Sequence, residues 1–71
     1  MRWTPDRLDQ LENAARHGLK VALRRRGTEY VVVALRLGTE RRRDALIARL
    51  PMTGEELVFV LDDIENFQVI P

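Results

Sequence analysis

Apolar positions near the amino terminus recur at helical steps. In "WTPDRLDQLENAARHG" the residues Leu8, Leu11 and Ala15 are three and four positions apart, which aligns them in one stripe of an α-helix. Thr4 has the chemistry of an N-cap, Pro5 suits the first helical position, and Asp6 complements the positive first turn. Trp3 and Leu8 then fall at the N′ and N4 positions, the spacing of a hydrophobic staple. Gly18 tolerates the positive φ that ends a helix. The pattern predicts a helix over about residues 5–17.

Beyond Gly18 the period changes to two. Leu19, Val21 and Leu23 alternate with Lys20, Ala22 and Arg24, as in a half-buried strand over about residues 19–25. Gly27 and Thr28 turn the chain, and "EYVVVALRL" predicts a second strand, 29–37, apolar on both faces and strongly bent. "DALIARL" gives a third, 44–50, stopped by Pro51. "LVFVL" and "ENFQVI" give the fourth and fifth, 56–61 and 64–70, joined through "DD". Strands recurring this regularly predict a mainly β, single domain over residues 1–71, with antiparallel strands in a barrel or sandwich.

The order of one helix and five antiparallel strands, the second long and bent, resembles the Sm-like version of the SH3-type barrel. Two stretches go beyond element order. "DQLENAARHGL" is similar to the helix-to-strand junction of the bacterial Rho-binding antiterminator family, Asp-x-Leu-Glu-x-Ala-x-x-His-x-Leu, through Asp9, Leu11, Glu12, Ala14, His17 and Leu19. "FVLDDIENF" resembles that family's hydrophobic-x-Leu-Asp-x-Ile-x-x-Phe through Leu61, Asp62, Ile64 and Phe67. The chain departs from the family at Arg7, where the family tends to be acidic. The resemblance implies an Sm-like barrel with an added amino-terminal helix, and a protein that inhibits the transcription terminator Rho by occupying its RNA-binding surface with acidic groups. Asp9 and Glu12 would be the contacting carboxylates, three apart on one helix face. Read from the residues alone, the same pair is equally a solvated surface in which Arg16 partners Glu12.

Charge adds a second theme. The net charge of +1 conceals a split: residues 1–50 carry all 12 bases and six acids, while residues 51–71 carry five acids and no base. The +6 and −5 segments are expected to attract each other or a partner. Six of the bases form two triplets, Arg24, Arg25, Arg26 and Arg41, Arg42, Arg43, separated by a predicted strand up to about 30 Å long. The triplets are therefore expected at opposite ends of it. Two readings stand side by side: solvated loop arginines, or contacts to a nucleic-acid backbone by either triplet. Of the four aromatic residues, Trp3 belongs to the staple and Phe59 and Phe67 to the core, which leaves Tyr30 as a platform for a stacked base.

Catalytic chemistry finds no constellation. His17 is the only histidine and sits in the last helical turn, where it complements the negative end. Asp62 and Asp63 diverge in an extended chain, Glu55 and Glu56 follow a turn glycine, and four threonines have cap or turn roles. No serine, no cysteine and no phosphate-loop spacing of glycines is present. The expectation is a non-enzymatic module without catalytic residues, metal or cofactor, in the cytoplasm and not in a membrane. It binds a protein partner of the transcription or RNA machinery, or RNA, or assembles with itself through barrel edge strands.

Overall fold

A computed structural model describes all of residues 1–71. Helix α1 (Pro5–His17) leads into β1 (Lys20–Arg25), β2 (Thr28–Glu40), β3 (Arg43–Arg49) and β4 (Glu56–Val60). A single 3-10 turn (Leu61–Asp63) then connects to β5 (Ile64–Ile70). All the pairings are antiparallel, and the five strands form one sheet in the order β4-β3-β2-β1-β5. No ladder joins β4 to β5, so the sheet is open.

The helix ends follow from their residues. Thr4 is extended, and its Oγ1 accepts a hydrogen bond from the Arg7 N–H at 3.3 Å. Gly18 takes φ +63°, and the N–H groups of Gly18 and Leu19 donate to Ala15 and Ala14, a Schellman closure. The buried face is Leu11, Ala14 and Ala15. Leu8, expected in that stripe, is instead 37% exposed. Trp3 lines a depression together with Leu8 and is stacked on Phe67, with ring centroids 5.4 Å apart. Its Nε1 donates to the Leu61 carbonyl at 3.0 Å.

Strand β2 is longer than its apolar run, reaching Glu40 through Gly38 and Thr39. Fully extended, its 13 residues would span about 43 Å at 3.3 Å per residue, more than the molecule's longest dimension of 29 Å. It must therefore bend, and its pairing with β3 shifts between Ala34 and Arg36, where Leu35 is the extra residue of a bulge. Bending lets both its faces find cover, and Val32, Val33 and Ala34 are buried in succession, as are Ala45 to Ala48 in β3. The main core joins Leu11, Val21, Leu46 and Phe59, and no polar or charged residue is buried.

The β1–β2 and β2–β3 hairpins each close in two residues. Arg26 and Gly27 have φ +51° and +76°, and Arg41 and Arg42 have +52° and +68°. Positive φ at both central positions is the requirement of a tight turn that matches strand twist.

Candidate functional site

Asp9 and Glu12 project from the exposed side of α1 into a groove of about 240 Å³. Helical spacing puts both carboxylates on one face, and the groove continues over Leu8 to Leu37 and Gly38 of β2, Ala45 of β3 and Leu61. A third carboxylate, Asp44, lines the same groove from the start of β3. Nothing in the local pattern marked Asp44, because its closeness to the helix arises only when β2 and β3 fold under α1. Glu12 meets Arg16 at 3.5 Å, with both side chains more than half exposed, so water and salt weaken the pair. Asp9 and Asp44 have no ion-pair partner. The groove thus combines an apolar floor with an acidic rim.

Gly38 has an ordinary strand conformation, and its role is spatial. A Cβ there would come within 2.9 Å of Ile47 Cδ1, so even one methyl presses on the β3 side chain.

The two arginine triplets are dismantled by the fold. Arg24 pairs with Glu29 at 3.1 Å. Arg25 turns inward: its guanidinium lies 5.1 Å from the centre of the Tyr30 ring and 4.7 Å from that of Phe59. It also donates to Tyr30 Oη at 3.1 Å and to the Val58 carbonyl of β4 at 3.3 Å. Tyr30 meets Phe59 edge-on at 5.2 Å. Tyr30, expected as a platform for a stacked base, is thus half-buried and carries Arg25.

Arg26, Arg41 and Arg43 converge, where the two triplets were expected at opposite ends of a strand. Arg26 from the first hairpin and Arg41 and Arg43 from the second line one depression of about 310 Å³, together with Glu40, Val60 and Asp63. The expectation allowed for a bend in β2 but gave it too little weight. The bend at Leu35 and the 3-10 turn between the hairpins bring the tips to one end. Asp63 meets Arg26 at 3.7 Å, and Asp62 meets Arg43 at 3.2 Å. With Arg36–Glu56, these pairs join the basic and acidic segments of the chain within one molecule. Arg41 and Arg42 have no ion-pair partner.

His17 remains exposed at the helix end, and no group of three or more His, Cys, Asp or Glu side chains is gathered for a metal. No helix is long and apolar enough to cross a membrane. No known family model matches the chain, and no curated protein matches it.

Proposed function

We propose that the protein is a non-enzymatic binding module that docks a basic protein surface, of the kind Rho presents to RNA, in the groove between α1 and the β2–β3 hairpin. The observation that carries this reading is Asp44. The motif resemblance named only Asp9 and Glu12, and an independent element adds a third carboxylate to the same groove over Leu8, Leu37 and Leu61. A cationic side chain entering there lays its aliphatic stem on the leucines and its charge among the carboxylates, the division of labour that long basic side chains favour. The strongly bent sheet, with the helix against β2, supports reading the fold as an open Sm-like barrel, in keeping with the same resemblance.

Self-assembly through strand edges fits less well. Arg25 donates to the Val58 carbonyl on β4, so a group an incoming strand would need already has a partner.

Titration of purified Rho with the protein, and with an Asp9→Lys, Glu12→Lys, Asp44→Lys variant, tests the proposal. Binding that weakens with salt and disappears in the folded variant is the expected result. No binding by the unaltered protein, or equal binding by both, overturns it.

A further inference from the structure

We propose that the two converged hairpin tips form a second site, for the phosphodiester backbone of single-stranded nucleic acid, with Arg26, Arg41, Arg42 and Arg43 as the phosphate-binding groups. The proposal does not rest on the groove reading and involves the other charge sign, although Arg42 and Arg43 adjoin that groove, lining a depression with Leu8, Asp44 and Leu61.

The first support is placement. Three arginines from two separate hairpins line one open depression, and Arg42 lines the adjoining one, with Arg43 shared between the two. The second is conformation. The only non-glycine residues with positive φ in the whole chain are Arg26, Arg41 and Arg42. Turns of this kind favour Asn-Gly or Asp-Gly, which adopt positive φ with little strain. The second hairpin holds Arg-Arg instead, so two adjacent arginines adopt a conformation that asparagine and glycine take more readily. Backbone outliers of this kind cluster at ligand-binding and active sites.

The third support is availability. Arg41 and Arg42 have no ion pair, Arg43 holds an exposed one with Asp62, and Arg26, itself 80% accessible, holds a long one with the half-buried Asp63. Exposed pairs are weak and exchange readily for phosphate. Asp62 and Asp63 therefore act as competing anions that orient the guanidinium groups when no ligand is bound.

The ligand follows from what surrounds the arginines. The depression is open, and carboxylates of Glu40 and Asp63 stand in it, which disfavours tight capture of one free anion. Arginines spread over two tips suit a chain of phosphates. Tyr30 is occupied by Arg25 and Phe59, and Trp3, which lines a depression with Arg42 and Arg43, is already stacked on Phe67. Binding should accordingly be indifferent to sequence.

The test is a fluorescence-anisotropy titration with a short labelled single-stranded RNA of mixed sequence, over a range of salt concentrations. Four phosphate contacts predict a slope of log affinity against log salt of about −2.8, or about a fifty-fold loss between roughly 50 and 200 mM salt. The decisive variant is Arg41→Asn with Arg42→Gly, which supplies the preferred turn and removes two charges. It is expected to melt at a higher temperature than the parent while its salt slope falls to about −1.4, about a seven-fold loss over the same range. Asp62→Asn with Asp63→Asn is expected to bind RNA more tightly; equal or weaker binding would remove Arg26 and Arg43 from the site and overturn the proposal. Single-stranded DNA of the same sequence distinguishes the source of the phosphates, and binding of either nucleic acid supports the site. Inorganic phosphate should displace the RNA no better than chloride at equal ionic strength, and selective displacement would show a single-anion site instead. No binding of either nucleic acid at low salt, or an unchanged slope in the Asn-Gly variant, would overturn the proposal.

Discussion

Trp3 and Leu61 are 58 positions apart, yet the indole Nε1 of Trp3 donates to the Leu61 carbonyl at 3.0 Å. The contact ties the segment before α1 to the 3-10 turn after β4, and stacking on Phe67 holds the ring in place. Trp3→Phe keeps an aromatic ring and removes the donor, so it is expected to cost about 1 kcal/mol in chemical denaturation. Trp3→Ala removes the stack as well and is expected to cost about 2–4 kcal/mol. A double-mutant cycle with Phe67→Ala should return a coupling of about 0.5–1.5 kcal/mol. Additive effects would mean that the rings do not interact.

The helix makes a contrasting pair. Leu11 is fully buried, whereas Leu8 is 37% exposed at the groove. Leu11→Asp puts an unpaired carboxylate in the core and is expected to abolish cooperative folding, visible as loss of the thermal transition. Leu8→Ala should cost no more than about 1 kcal/mol, because much of its surface already meets water. A larger loss for Leu8→Ala than for Leu11→Ala would reverse the assignment of the buried face.

Arg25 offers a test of edge protection. Its guanidinium covers the Phe59 and Tyr30 rings and holds the Val58 carbonyl. Arg25→Ala is expected to cost about 1–2 kcal/mol and, by freeing the edge of β4, to favour association at high concentration. Sedimentation velocity over a concentration series measures the second effect. A variant as monodisperse as the parent would show that Arg25 only packs.

Gly38 and Ile47 should couple. Gly38→Ala is expected to destabilise the parent because its Cβ would lie 2.9 Å from Ile47 Cδ1. Ile47→Val deletes that methyl. In the Ile47→Val background, Gly38→Ala should be neutral or stabilising by about 0.4–1 kcal/mol, since alanine restricts the unfolded chain. Equal effects of Gly38→Ala in both backgrounds would show that the clash does not set its cost.

The sequence by itself determined the helix, its caps and the mainly β character, because these depend on neighbours within a few residues. Thr4, Pro5 and Gly18 act through local backbone geometry, and alternation in β1 reports burial within that strand. The family resemblance singled out Asp9 and Glu12, and helical spacing puts them on one face. What only the tertiary structure decided was distance between elements. A bulge at Leu35 folded β2 back and brought two arginine hairpins to one depression, and packing of β3 beside α1 delivered Asp44 to the acidic groove. The same holds for single side chains. Arg24, Arg25 and Arg26 are consecutive and chemically identical, but one meets Glu29, one lies over Phe59 and one faces Asp63. Their fates diverge because adjacent strand residues point to opposite faces and a turn redirects the third, so each side chain meets partners from a different part of the chain.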